Sequence, residues 1–352
     1  MLKLTLEDVR RVDPTEMYQW LSDFPKLVED AVRIGKRAKL SLNVKGVRTL
    51  LLTGMGGSAI GGDLIRSYLL GELKIPFSVS RSYTLPAFVD RNTLVIVSSY
   101  SGNTEESLSS YRQAIQRGAR ILCITTGGEV ERMAGKNEHP CIKVPGGLQP
   151  RAALAYSFFP LLIALSRLGF VPPKGRDINE TIDLLRARSH ILRDPGSRKN
   201  LSLKIACTLQ KKLPIFYSAT DHLDAVNLRW RGQISENAKQ LAYGHVLPEM
   251  NHNEIVGWNV NRRMLKRLAV VFLRDRGTHP RVQFREEITK RIVKQYAAEV
   301  VEVWSEGKSL LTRIFSLVYL GDWMSYYLAI LNKQNPTPVA VIDYLKNELA
   351  KR

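Results

Sequence analysis

Three cysteines in 352 residues are too few for a disulfide framework, and Cys123, Cys141 and Cys207 stand apart without metal-ligand spacing. Buried free thiols are expected, because Cys123 has apolar neighbours and a reducing compartment keeps such thiols unpaired. A Cys123–Cys141 bridge is the alternative that the sequence leaves open. His222, His245 and His279 are equally scattered, so no metal site is read. The chain shows no charged, apolar and small-residue leader. Its run SFFPLLIALSRLGFV (157–171) carries a proline and an arginine and is too short to cross a bilayer. A cytoplasmic location with no membrane partner is the expectation.

Acidic residues are also scarce, with 33 Asp and Glu against 52 Lys and Arg and a formal net charge of +19. Such an excess suits nucleic-acid binding, steering of an anionic substrate, or a solvated basic surface. The basic residues are spread through the chain, as in KRAK (36–39), Arg198 with Lys199, and the terminal KR. No arginine run interleaved with aromatics and no recognition motif accompanies them, so no nucleic-acid partner is expected. What the chain does have is 44% hydrophobic and 24% charged residues, the composition of a folded globular protein long enough for two domains.

Residues 1–45 read as a helical preface, with Met17, Trp20, Leu21, Phe24 and Leu27 at helix spacing. Short apolar runs then alternate with helical segments. VRTLLLTG (47–54), PFSVSRSY (76–83), NTLVIVSSYSG (92–102) and ARILCITTGG (119–128) read as strands. FVPPKGRD (170–177) marks a boundary. Beyond it LPIFYSAT (213–220), RLAVVFLRD (267–275) and EVVEVWSEG (299–307) resume the pattern, before a long apolar helix at 309–331. The fold class is therefore α/β, with two doubly wound parallel-sheet subdomains at 46–172 and 173–352 behind the preface.

Two strand ends carry the chemistry. TGMGGSAIGGD formally satisfies a dinucleotide pattern through Gly54, Gly56 and Ala59. A dinucleotide site also wants an acidic residue at the end of the next strand, and PFSVSRSY supplies none. No Gly-Lys-Ser/Thr closes the turn, which excludes a Walker loop. The plain alternative is a tight turn with Ser58 as a cap. SSYSGNTEES (98–107) ends a second strand and places Ser99, Ser101 and Thr104 around Gly102 at a helix start. Hydroxyls and backbone N–H groups at a helix N-terminus hold a phosphate, and two such turns on one sheet point to a single phosphate group.

GMGGSAIGGD and SSYSGNTEES resemble the sugar isomerase domain, a doubly wound, flavodoxin-like module that binds phosphosugars. ENAKQLAYGHVLPEMNHNEIVGW (236–258), QPRAALAY (149–156) and TPVAVIDYLK (337–346) resemble segments of the archaeal-type bifunctional phosphoglucose/phosphomannose isomerases. The likeness runs from about residue 50 to the C-terminus. It implies a cofactor-independent aldose–ketose isomerase acting on glucose 6-phosphate, mannose 6-phosphate and fructose 6-phosphate through a cis-enediolate.

By the same resemblance, Glu236 matches the base, His252 and Lys346 match the groups that open the sugar ring, and Arg151 matches the arginine that steadies the enediolate. A carboxylate can take a proton from one carbon and return it to the next, and an imidazole moves protons near neutral pH. Gly56, Gly57, Ser58, Ser99, Ser101 and Thr104 would bind the phosphate, and Thr337 is a candidate for tolerance of both C2 epimers. Glu249 and Glu254 are rival carboxylates without the match. The resemblance also implies a homodimer in which His252 serves the neighbouring subunit. A non-catalytic phosphosugar sensor would keep the two turns but not need Glu236, His252 or Lys346. The sugar-handling half of an amidotransferase is disfavoured, since no glutamine-hydrolysing domain with a leading cysteine is seen.

Overall fold

The computed structural model describes residues 4–349 and Lys351. The helical preface is three helices: α1 (Leu6–Val12), α2 (Met17–Ser22) and α3 (Phe24–Arg37). Thr5 and Asp8 cap α1 reciprocally, and Pro25 fits the first turn of α3, where no amide donor is missed. Met17, Leu21 and Phe24 are buried, as their spacing predicts. The described chain divides into two compact units, the first made of Asp23–Asp183 with Ser309–Thr312 and the second of the remainder.

The first unit holds β1 (Thr49–Thr53), α4 (Gly56–Leu69), β2 (Phe77–Ser80), β3 (Thr93–Ser98), α5 (Glu105–Gln116), β4 (Arg120–Thr125), α6 (Gly128–Lys136), β5 (Cys141–Lys143) and α7 (Leu154–Arg167). Its five strands are all parallel, in the order β2-β1-β3-β4-β5. Parallel strands are covered on both faces, which is why β1 and β3 are continuous apolar runs with Leu50–Leu52 and Leu94–Val97 fully buried. The apolar run at 157–171 belongs largely to α7, whose residues Leu154–Leu165 are all buried. Gly35 lets α3 cross it closely, since a Cβ there would stand 3.0 Å from the Pro160 Cα. The division between the units falls within α8 (Gly175–Leu192).

The second unit contains α9 (Leu201–Leu209), β6 (Leu213–Ala219), α10 (Thr220–Gln233), β7 (Tyr243–Leu247), α11 (Arg262–Leu265), β8 (Leu268–Arg274), α12 (Pro280–Val293), β9 (Glu299–Trp304), most of α13 (Leu310–Leu331) and α14 (Ala340–Leu349). Its four strands are parallel in the order β7-β6-β8-β9, which repeats the order of the first four strands of the other sheet. The α/β architecture of two doubly wound parallel sheets is thus the one the alternation of runs predicts. Helix α13 is long and apolar enough to cross a membrane, but 89% of its most apolar window is buried inside the protein, so it is a core helix. Its Trp323 meets Tyr18 edge-on at 5.4 Å, joining α2 to the same core.

Two strands escape the sequence pattern. Both β5 and β7 are edge strands of three and five residues, partly exposed, so they lack the long apolar run that betrays a central strand. Cys123 and Cys141 are register partners on β4 and β5 with free thiols. Burial raises Cys123 to about 12 and Cys141 to about 11. Cys207 departs from the expectation of burial, because it lies on the outer face of α9 and is exposed.

Candidate active site

The first sheet reverses its strand order between β1 and β3, the position where an open α/β sheet leaves a crevice at the carboxyl ends of its strands. Both glycine- and serine-rich turns open there. Helix α4 starts at Gly56, whose φ of +48° favours glycine, and its cap residue Met55 offers no side-chain acceptor. Helix α5 starts after Thr104, which also makes no side-chain cap bond. The leading amides of both helices are thus not taken up by their own cap side chains, and the helix dipoles favour an anion beside them.

The turns are tied to each other. Ser58, buried, accepts the Tyr100 N–H at 3.0 Å, and Ser99 Oγ donates to Thr104 Oγ1 at 3.1 Å. A Cβ at Gly54 would lie 2.6 Å from the Ser98 carbonyl oxygen. Only glycine permits that approach. Ser101 is exposed and accepts the Asn103 N–H at 3.3 Å.

The same unit brings Arg151 to the first turn. A Cβ at Gly57 would stand 2.3 Å from the Pro150 carbonyl oxygen and 3.0 Å from the Arg151 nitrogen, so the 149–151 backbone lies directly against Gly57. Ser157 Oγ donates to the Gly57 carbonyl at 3.2 Å and fastens α7 to the turn from below. Arg151 is buried, at 3% exposure. A buried guanidinium is well suited to an anion, because its charge cannot be lost and its donors form a rigid fork.

A third turn, which the sequence motifs do not mark, lies beside these two. Thr125–Glu129 follows β4 and lies against the serine turn: Thr126 N–H donates to Tyr100 O at 3.0 Å, Val130 N–H to Gly102 O at 3.0 Å, and Glu129 N–H to Asn103 Oδ1 at 3.0 Å. Gly102 (φ +73°) has no room for a side chain, since its Cβ would fall 1.8 Å from the Gly127 carbonyl oxygen. The paired glycines after ILCITT were the available signal.

In the second unit, α10 passes without a break into a turn of π-helix, Ile234–Ala238, that carries Glu236. Such wide turns recur at functional sites. Its two flanks are anchored in the core. Gln233 Nε2 donates to Asp322 at 2.8 Å, and Asn237 Nδ2 donates to Ser325 Oγ at 3.0 Å. Arg229 grips Asp322 with two bonds of 3.0 and 2.8 Å. Burial pushes the Asp322 carboxyl above its ordinary range, and the Arg229 charge opposes that shift. Glu236 itself is half-buried between these anchors. Lys239, in the left-handed region at φ +54°, ends the turn and donates from Nζ to the carbonyls of Glu236 (2.5 Å) and Pro336 (3.2 Å). That second bond brings Thr337, buried and next in the chain, close to the π-turn.

The rival carboxylates are occupied otherwise. Glu254 accepts the Tyr217 hydroxyl, which in turn accepts the Trp258 indole N–H at 2.9 Å, and Glu249 accepts from Asn253 at 2.8 Å. His252 ends a 3₁₀ turn after β7, is exposed, and has no hydrogen-bond partner among the described residues. Lys346 lies on α14, where every described residue is exposed, and no hydrogen bond or ion pair joins it to Glu236 or His252 among the described residues.

Two family descriptions match: "SIS domain" over residues 44–145 and "Bacterial phospho-glucose isomerase C-terminal SIS domain" over 198–349. The chain is 44% identical over 336 residues to a bifunctional phosphoglucose/phosphomannose isomerase of Caldicellulosiruptor bescii, covering 95% of this chain and 99% of that one. It is 37% identical to the protein of the same name from Aquifex aeolicus, over 86% of this chain and 90% of that one. Among solved structures, a hypothetical protein of Thermus thermophilus shares the fold with a TM-score of 0.77 at 17% identity, covering 99% of this chain and 94% of that chain. The chain therefore belongs to the family of bifunctional phosphoglucose/phosphomannose isomerases.

Proposed function

We propose that this protein interconverts glucose 6-phosphate and mannose 6-phosphate with fructose 6-phosphate. The observation that carries the reading is the pair of interlocked strand–helix turns at the β1/β3 reversal, with a buried arginine against them, in a chain 44% identical to an isomerase of that name. The phosphate is bound by the amides at Gly56 and Gly57 and by Ser58, Ser99, Ser101 and Thr104. Arg151 balances the negative charge that develops on the enediolate oxygens.

The reaction moves one proton between C1 and C2 and another between their oxygens, and is redox-neutral overall. Glu236 takes the proton from one carbon, leaving a cis-enediolate, and returns it to the other. His252 and Lys346 move the proton between ring oxygen and C1 hydroxyl that opens the cyclic sugar. Because C2 is planar in the enediolate, return of the proton to either face gives the glucose or the mannose epimer. Thr337 governs the room for that rearrangement.

The active assembly is a homodimer in which His252 acts in the partner's site. An exposed imidazole without a partner supports this, as does α14, whose Val341, Leu345 and Leu349 repeat at helical spacing with exposures of 82%, 57% and 48%. A one-sided apolar stripe of that kind is stabilised by a covering surface.

The test is incubation of the purified protein with fructose 6-phosphate and an assay of both aldose phosphates. Both should accumulate. Absence of both overturns the isomerase reading, and glucose 6-phosphate alone overturns the dual specificity.

A further inference from the structure

We propose a second anion site, for the phosphate group of a small phosphorylated metabolite, at the carboxyl edge of the four-stranded sheet. A cavity of about 470 Å³ opens there, lined by Arg276, Gly277, Ser305, Glu306, Gly307 and Arg313. Small-molecule sites fall in this range of size.

Topology puts the cavity at the carboxyl ends of the strands, one strand beyond the β6/β8 reversal. In the order β7-β6-β8-β9, strands β8 and β9 hold the positions that β3 and β4 hold in the other sheet. The segments after β3 and β4 form the serine turn and its buttress. Those after β8 and β9 form this cavity. Within its own unit Glu236 lies at the other end of the strands, since Gln240, four residues on, bonds at 2.7 Å to the carbonyl of Lys212 just before β6. The carboxyl edge of the second sheet is therefore not used by the candidate base.

The lining is built for a negative group. Asp275 is buried and its oxygens are consumed in shaping the cavity: Oδ1 accepts Arg313 Nε at 2.8 Å and the Ser305 hydroxyl, and Oδ2 accepts the Gly277 N–H at 2.9 Å. Arg313 Nη1 is held by the Lys308 carbonyl at 2.7 Å, which fixes the plane of the guanidinium. Its Nη2 lies 2.7 Å from where a Cβ at Gly277 would stand, so only glycine leaves that donor edge uncovered. Arg276 is exposed, and its guanidinium has no partner among the described residues. Glu306, the one acid lining the cavity besides this frame, is paired with Arg188. A fixed arginine and a free one around a cavity favour a phosphate group, which arginine binds through paired N–H donors.

The test is isothermal titration of the whole chain with inorganic pyrophosphate at low ionic strength, comparing wild type with Arg276→Glu and Arg276→Lys. Arg276 is exposed and its side chain holds no other group, so both variants should fold. The expected result is a binding event weakened at least about tenfold by Arg276→Glu and less than about threefold by Arg276→Lys. An unchanged isotherm in Arg276→Glu overturns the site, whatever the outcome of the isomerase assay. Arg276-dependent binding of a DNA duplex without binding of pyrophosphate overturns the assignment to a small phosphorylated ligand.

Discussion

Glu236 and His252 stand at opposite ends of the edge strand β7 and are carried on opposite faces of its sheet. Glu236 sits on the continuation of α10, which packs through Trp230 against Phe216 of β6, with ring centroids 5.5 Å apart. His252 lies on the segment whose Trp258 and Glu254 bond to Tyr217, the next residue of β6, which points the other way. Five extended residues, about 17 Å of chain, intervene along the strand. One copy's Glu236 and His252 are thus poorly placed to act on one sugar, which favours a site that takes each from a different subunit.

Mixing two inactive variants tests that arrangement. Glu236→Gln and His252→Ala should each be nearly inactive alone. Unfolded together and refolded in equal amounts, they should regain about a quarter of wild-type activity, because half of random dimers are mixed and each has one intact site. No regain in dimers shown to be mixed places both residues in the site of one chain.

Glu236→Gln should lower kcat by about a thousandfold or more with KM for fructose 6-phosphate held within about tenfold, since a proton-transferring group acts on the chemical step. Steady-state kinetics separate the two constants. A large rise in KM with kcat preserved would make Glu236 a binding residue instead.

Gly57→Ala should both destabilise the fold and weaken phosphate binding. The added methyl meets the Pro150 carbonyl at 2.3 Å, and a backbone oxygen held by the 149–153 turn cannot swing aside as a side chain would. Overpacking of this kind costs about 1–3 kcal/mol. Denaturant unfolding reads the stability and a titration with fructose 6-phosphate reads the binding; Gly71→Ala, in open space, is the control.

Glu286 makes stability depend on pH. It is fully buried beside Arg274 at 2.9 Å, and burial raises its pKa from 4.5 to about 7, against the pull of Arg274. A carboxyl with a raised folded pKa binds its proton more tightly in the native state. Its contribution is present in full below about 4.5 and is lost as pH rises through about 7. Glu286→Gln should therefore gain on wild type by up to about 3 kcal/mol between those limits, read by thermal unfolding across the range. A constant difference from pH 4.5 to 7.5 contradicts the assignment.

The cysteines should differ sharply toward an alkylating reagent. Cys207 is exposed, whereas Cys123 is buried with its thiol pushed up to about 12. Iodoacetamide at pH 8 should label Cys207 at least about a hundredfold faster, as intact mass and peptide mapping would show. Equal rates in the folded protein would contradict the burial of Cys123.

The sequence by itself determined the central strands and both strand–helix turns after β1 and β3. Continuous apolar runs ending in glycine and serine mark buried parallel strands opening into helices, and that signal is local. It also singled out Glu236, His252, Lys346 and Arg151, through the resemblance of the segments that carry them to a known family. Tertiary structure alone decided the rest. Strands β5 and β7 owe their existence to pairing with a neighbour, not to their own apolar content. The buttress at Gly127 matters because Gly102 touches it, a contact between residues 25 apart that no local pattern encodes. The π-turn under Glu236 is fixed by Asp322 and Ser325, nearly ninety residues further along the chain. The separation of Glu236 from His252 follows from which face each connection takes across the sheet. Spacing along a chain sets what a residue can be; packing sets what it can reach.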